Sequence, residues 1–461
     1  MTEKEDILKG DLKKLYFRFL FPSIVSMCAY SLYIIDAVFI GRGIGREAFA
    51  SYNLALPVFT GYMAVSTLLG IGGATSAAIS IGRGDAEKVN RIFAHVVGMI
   101  LLISCVTLAG GVFFIDPICR ILGADASNID YVRDYTRPIL IFGFFFIGGY
   151  AMTHFMRNDN APKKAMYYVV FSGLVNLALD FVFIFIFKWG MAGAGLATVI
   201  ASIAGFLCFV LPHFRKRNTS IRPDLKGGLD KNLIRRIVSN GLPPGVVDVS
   251  SGVTLFAFNM VLLRTEGTAA VAAYGLIANI MLICVSMFNG IAQAMQPITS
   301  VNYGAGQFER VRKILRYGLV SAAVVSVVMI AVLLTEQENI AAVFVSDESE
   351  LAGYLDLAVS GLTIAAVSVV FMGPNLIVAG FLQSVEFYRI SSAINVLRGF
   401  AAVIPALVVL TYFFGTTGSW ASLPIAEALT LLFAAASFSY LLKKNRLYPS
   451  EKNGRQNAEK Q

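Results

Sequence analysis

The 461-residue chain is 56% hydrophobic and 15% charged, with a mean hydropathy of +0.69. Soluble globular domains carry about 25% charged residues, so a water-soluble enzyme is excluded, and the unbroken apolar runs exclude a membrane β-barrel, whose strands alternate. The net charge of +9 is explained by where the basic residues fall along a membrane chain and calls for no nucleic-acid partner.

At about 20 apolar residues per crossing, helices are predicted over 15–40, 52–80, 92–115, 138–157, 166–187 and 192–213, then over 237–263, 269–302, 314–335, 355–383, 388–414 and 420–442. The expected fold is an all-α polytopic membrane protein, with 12 transmembrane helices in two pseudo-symmetric six-helix bundles. Residues 1–213 form the N-lobe, 214–236 a cytoplasmic linker, 237–442 the C-lobe and 443–461 a polar cytoplasmic tail. The charged N-terminal segment leads into an apolar run without a small-residue cleavage site, so that run is expected to remain as the first helix. Of the 38 Lys and Arg residues, 30 fall in the termini and in the connections that share their side, which makes that side the cytoplasm. Trp189 and Trp420 fall in short outer connections, where interfacial anchors are expected. The five cysteines and three histidines show no disulfide or zinc spacing.

The two sets of six helices read as copies. GRGDAEKV from Gly82 to Val89 matches GAGQFERV from Gly304 to Val311, and AFASY from Ala48 to Tyr52 matches AVAAY from Ala270 to Tyr274, both at an offset of 222. Later, Lys164 and Arg389, and Gly190 and Gly415, align at 225. Six crossings per copy start both copies on the same side, which makes them parallel repeats. Such lobes enclose a cleft, and duplicated transporters use it for alternating access. Gly82-Arg83-Gly84-Asp85 formally fits a GxGD protease pattern, but its copy replaces the Asp with Gln307, so it is read as a helix-terminating turn. No phosphate-cradling loop is present, and an ion gradient is the expected driving force.

Four acids lie in predicted spans: Asp36, Asp180, Asp248 and Glu427. A carboxylate at bilayer depth costs at least about 2.5 kcal/mol, so each is a functional candidate. Asn176 and Asp180 are one helical turn apart and share a face, offering oxygens to a hard monovalent cation or a shared proton. Asp36 could complete that cluster, or pair with Arg42 at a helix end. Asp248 follows Pro243-Pro244 and is a possible C-lobe acid, with structure and function evenly placed; Glu427 is read as structural or interfacial. The copies of Asn176 and Asp180 are Ala401 and Pro405, which confines the ion-type cluster to the N-terminal half. Aromatic and thioether side chains suit bulky apolar cations, and Tyr33, Met63, Phe146, Tyr150 and Met287 are the candidates for a substrate cleft.

Several of these segments together resemble the prokaryotic multidrug and toxic compound extrusion (MATE) transporters over nearly the whole chain. They are Phe21-Pro22 followed by IDAVFIG from Ile35 to Gly41, RNDNAPKKA from Arg157 to Ala165, NLALD from Asn176 to Asp180, and MAGAGLAT from Met191 to Thr198. The resemblance implies a non-enzymatic antiporter without cofactors in the prokaryotic cytoplasmic (inner) membrane, exporting amphipathic, often cationic small molecules in exchange for H+ or Na+. It also implies that Asp36, Asn176, Asp180 and Thr198 bind the coupling ion and that Pro22 allows the first helix to bend. One branch of that family carries further acids at positions corresponding to 249–252 and 371–374, and this chain has none there. A monomer is expected, since nothing in the sequence calls for an oligomer. The rival within transport is a flippase for a lipid-linked saccharide or peptidoglycan precursor, which would want extra helices and a basic cleft. An intramembrane hydrolase or a channel would belong to another class.

Overall fold

The computed structural model describes residues 3–29, 33–215, 221–222, 228–265, 267–342 and 351–448, and among these every regular element is a helix. They fall into two compact units, Met1–Gly245 and Val246–Gln461. The first contains α1 (Glu3–Lys9), α2 (Leu12–Ala29), α3 (Tyr33–Gly43), α4 (Arg46–Arg83), α5 (Ala86–Phe113), α6 (Ile115–Ile121), α7 (Ile129–Ile141) and α8 (Gly143–Asn158). It continues with α9 (Pro162–Asp180), whose last turns widen over Phe181–Ile186, and α10 (Gly190–Gly205), which widens over Phe206–Val210 into α11 (Leu211–Arg215). Next, α12 (Lys231–Thr265) runs from the first unit into the second, which holds α13 (Thr268–Gly304), α14 (Phe308–Thr335) and α15 (Gln337–Ala342). The remaining helices are α16 (Leu351–Ser384), α17 (Tyr388–Val396), widening over Leu397–Ala401, and α18 (Val403–Lys443).

Nine helical stretches among the described residues are long and apolar enough to span a bilayer, or ten if the bent pair α7 and α8 counts as one. The expected twelve differ from this at the two ends. The first predicted helix, 15–40, is described as two pieces, α2 and α3, with residues 30–32 outside the described set. The last two are one 56-residue path, Tyr388–Lys443. At 1.5 Å per residue that path measures about 84 Å, against a hydrocarbon core of about 30 Å. It departs from helical geometry at Gly415, with φ 59° and ψ −141°, close to the predicted connection. The predicted fourth helix, 138–157, begins earlier, at Ile129, and turns by 58° between α7 and α8.

Backbone conformation repeats where the sequence does. The left-handed glycines Gly45 and Gly84 (φ 126° and 80°) recur 222 residues later as Gly267 and Gly306 (78° and 73°), and Gly190 (60°) recurs 225 later as Gly415 (59°). Gly84 closes α4, and the Asp85 side chain accepts from the Lys88 backbone N–H at 2.9 Å to cap α5. The GRGD segment is thus a helix-to-helix turn, as its copy required. Trp189 is half exposed beside Phe183. Trp420 is not an interfacial anchor. It is 1% exposed inside α18, parallel to the Tyr274 ring at 6.4 Å, because Gly361 leaves room for the indole.

Within the first unit, small residues let helices touch backbone to backbone. A Cβ placed on Gly241 of α12 would lie 1.9 Å from the Leu68 carbonyl oxygen of α4, and one on Gly72 would lie 2.1 Å from the Ile237 carbonyl oxygen. Asn240 Nδ2 donates to Ser76 Oγ at 3.0 Å across the same seam.

Candidate functional site

In the first unit, α9 packs against α2, α3, α8 and α10, and this packing collects the acids. Asp36 of α3, Asn176 and Asp180 of α9, and Thr198 of α10 are all buried, at 3%, 2%, 1% and 2% exposure. The one-turn spacing places Asn176 Nδ2 2.9 Å from Asp180 Oδ2, which accepts from it, and 3.5 Å from Thr198 Oγ1. Thr198 in turn donates to the Ala194 carbonyl at 3.3 Å, one turn back on its own helix. Asp36 and Asp180 are carried by helices that pack against each other. Each also keeps one buried oxygen, Oδ1, that no donor among the described residues reaches.

Two acceptor-only carboxylates cannot hydrogen-bond each other, so two buried acids on packed helices call for a proton on one of them or a cation between them. The orphaned oxygens are the observation that a positive charge fits here, since a buried acceptor without a partner carries its full desolvation cost. Whether that charge is a proton or a sodium ion depends on Asn176. A bare cation wants converging oxygens, whereas this amide turns its NH2 toward both Asp180 and Thr198, and the Thr198 hydroxyl hydrogen points to a backbone carbonyl.

Two further residues belong to the site and escaped the sequence reading. Tyr135 is buried on α7, which packs against α10, and its ring meets that of Tyr52 of α4 edge to face at 5.2 Å. A polar chain runs from Thr198 through Asn176 to Asp180, with the Tyr52 and Tyr135 ring pair carried on the helices beside it. Gly195 makes it possible: a Cβ there would lie 2.6 Å from the Tyr135 carbonyl oxygen, so only glycine lets α7 and α10 come this close. The predicted fourth helix began at 138, which left Tyr135 in a connection. Tyr52 had been noticed only as a repeat match.

The other candidates are placed as follows. Pro22 lies buried inside α2, and its carbonyl accepts from Ser26 Oγ at 2.7 Å. Phe146 and Tyr150 are buried in a ring cluster with Phe59, Tyr62 and Tyr168. Met63 and Met287 are half-buried, one in each unit. The side chains of Tyr33 and Asp248 lie outside the described residues. Glu427, expected at a helix end or as a structural acid, is buried on α18 and ion-paired with Arg398 at 2.7 Å. The RNDN segment ties helix ends together: Asn158 donates to the Ala74 carbonyl at 2.6 Å, Asp159 pairs with His213 at 3.0 Å, and Asn160 donates to Asp6 at 3.2 Å.

The chain matches the MatE family model twice, over residues 22–182 and 249–409. It is 25% identical over 448 residues to the multidrug export protein MepA of Staphylococcus saprophyticus, covering 96% of this chain and 95% of that one. It is likewise 25% identical over 437 residues to MepA of Staphylococcus aureus strain NCTC 8325, covering 94% and 95%. A solved structure described as the outward-facing conformation of a multidrug resistance MATE family transporter of the MOP superfamily superposes with a TM-score of 0.88 at 23% identity, over 96% of this chain and 99% of that one. A MOP superfamily transporter from Pyrococcus furiosus superposes at 0.86 with 23% identity, over the same shares. The chain belongs to the MatE family; it is a multi-pass membrane transporter and not an enzyme.

Proposed function

We propose that this member of the MatE family is a multidrug exporter driven by proton antiport, with Asp36 and Asp180 as the shared proton site. The observation that carries the reading is a pair of buried carboxyls on helices that pack together, with an unsatisfied oxygen on each. The MepA relatives, which are named multidrug export proteins, support the substrate class: amphipathic, often cationic small molecules.

Asp36 sits on α3 and Asp180 on α9. A proton held between them joins those helices through one short contact. Without it, two like charges are left in a buried site, and they push the helices apart. Asn176, through its bond to Asp180, steadies the unprotonated carboxylate, and Thr198 sets the position of Asn176. The proton load therefore biases helix packing in the N-lobe. If drug binding favours the opposite packing, each ligand weakens the other by the same factor, and exchange follows. The membrane plan carried with this reading is twelve crossings, both termini in the cytoplasm, an N-lobe, linker and C-lobe working by alternating access, and a monomer in the cytoplasmic membrane.

Proton coupling is preferred over sodium because Asn176 presents a donor rather than an oxygen to the acids. The flippase reading needs basic groups free for a pyrophosphate, and the basic residue buried in the second unit, Arg398, is already held by Glu427. Efflux of ethidium from cells expressing the protein tests the proposal. Wild type is expected to lower cellular ethidium, and Asp180→Asn to abolish this at equal expression. Efflux that survives the substitution removes the acid pair from the mechanism, and no efflux from well-expressed wild type removes the export reading.

A further inference from the structure

The second unit contains a cavity of about 440 Å³ with mainly apolar walls, within the range of small-molecule sites. Arg398 and Glu427 line it and are the oppositely charged groups among its described lining residues. Glu427 Oε1 accepts from Arg398 Nε at 3.1 Å and Nη2 at 2.7 Å, and Oε2 accepts from Asn375 Nδ2 at 2.7 Å. The two charged side chains are 8% and 7% exposed. Asn375, fully buried, keeps an Oδ1 that no donor among the described residues reaches.

The fold does not need this pair. At the repeat offset of 225, the residues matching Arg398 and Glu427 are Gly173 and Ser202, so the same helices assemble in the first half without a charge at either position. A buried ion pair is also a poor means of stabilising a bundle, because apolar residues of similar volume serve as well or better. What it supplies is one fixed positive and one fixed negative group, side by side, on an apolar wall that also carries Tyr274, Met281 and Leu423.

We propose that this cavity is a ligand subsite for amphipathic zwitterions, with Arg398 receiving the anionic group, Glu427 the cationic group, and the apolar walls the hydrophobic body. The selectivity follows from charge balance. The lining pair sums to zero, so a cation that takes Glu427 strands Arg398 in a desolvated wall, and an anion that takes Arg398 strands Glu427. A zwitterion substitutes for both partners at once and leaves neither charge unpaired. The site belongs to the second unit and the acid pair to the first. The inference rests on the export reading for the fate of the ligand, and not for its binding.

The test uses purified full-length protein and three fluorescent probes built on one scaffold: ε-dansyl-lysine (zwitterion), its methyl ester (cation) and its α-N-acetyl derivative (anion). The zwitterion is expected to bind at least tenfold tighter than either relative. Arg398→Gln should weaken the zwitterion and the anion at least tenfold and spare the ester. Gly275→Phe is the second variant, because Gly275 lines the cavity and nothing lies within 4 Å of a Cβ there. It should abolish binding of all three probes while leaving the ion pair untouched. Equal affinity for the three probes, or zwitterion binding that survives Gly275→Phe, overturns the subsite, even if Arg398→Gln does not fold. A wild type that shows the preference but exports nothing would sink the export reading alone, whereas export of ethidium without any preference among the probes would sink the subsite alone.

Discussion

Replacing Gly241 with alanine should separate two helices that now touch by their backbones. The new Cβ would start 1.9 Å from the Leu68 carbonyl oxygen, 2.7 Å from its carbon and 2.9 Å from its Cα. Backbone atoms cannot swing aside as a side chain can, so α12 must retreat from α4 by about 1.5 Å to reach ordinary contact. Overpacking of this kind costs about 1–3 kcal/mol, and the Asn240–Ser76 hydrogen bond across the seam, at 3.0 Å, goes with it for about 1 kcal/mol more. At about 2–4 °C per kcal/mol for a unit of this size, the melting temperature should fall by about 5–15 °C. The control is Gly245→Ala on the same helix, where nothing lies within 4 Å of a Cβ; Gly→Ala in a helix with room stabilises by about 0.5–1 kcal/mol. The assay is thermal unfolding of the purified protein in detergent, followed with a thiol-reactive dye. Opposite signs for the two substitutions support the close approach. A Gly241→Ala protein that melts with wild type would refute it.

Tyr135→Phe removes a buried hydroxyl from the helix packed against that of Thr198, a loss of about 1 kcal/mol, so ethidium efflux should fall roughly fivefold without loss of expression; unchanged efflux would leave Tyr135 outside the site. Removing one member of the buried Arg398–Glu427 pair should cost about 3–5 kcal/mol, and the double substitution Arg398→Met with Glu427→Leu should recover most of it, as read by the melting temperatures of the two singles and the double. The Arg18 guanidinium and the Asn160 amide hold the Asp6 carboxyl below its ordinary value of 3.8. A depressed carboxyl contributes docking strength that is present above that value and lost as pH falls through its lowered one. The protection of α1 amides against hydrogen exchange, taken relative to the intrinsic rate at each pH, should therefore be high at neutral pH and fall below about pH 4, and in Asp6→Asn it should lose this pH dependence.

The all-α membrane plan was legible because it rests on hydropathy, which needs no tertiary information. The acid site was partly legible for the same kind of reason: Asn176 and Asp180 are one turn apart on one helix, so periodicity alone puts them on one face, and a carboxylate in an apolar run stands out. Tyr52 and Tyr135 carry no such mark. Tyrosine is common in membrane helices, and what joins these two to the site is the approach of α7 to α10 across Gly195, which exists only in three dimensions. The same limit hid the partner of Glu427. Arg398 lies 29 residues away on another helix, and the sequence places each charge in a span without saying that they meet. Trp420 failed for a different reason. Its position in the sequence reads as an outer connection, but the path through Gly415 carries the indole inward against Tyr274.

The central claim is that one proton, shared by Asp36 and Asp180, is exchanged for substrate. Its most direct measurement is ethidium transport by the purified protein in liposomes, with a pH gradient or a sodium gradient imposed separately. The account predicts transport driven by the pH gradient in sodium-free buffer, no transport on the sodium gradient alone, and none on either with Asp180→Asn. Sodium-driven transport at equal pH on both sides, or pH-driven transport that persists in Asp180→Asn, would contradict it.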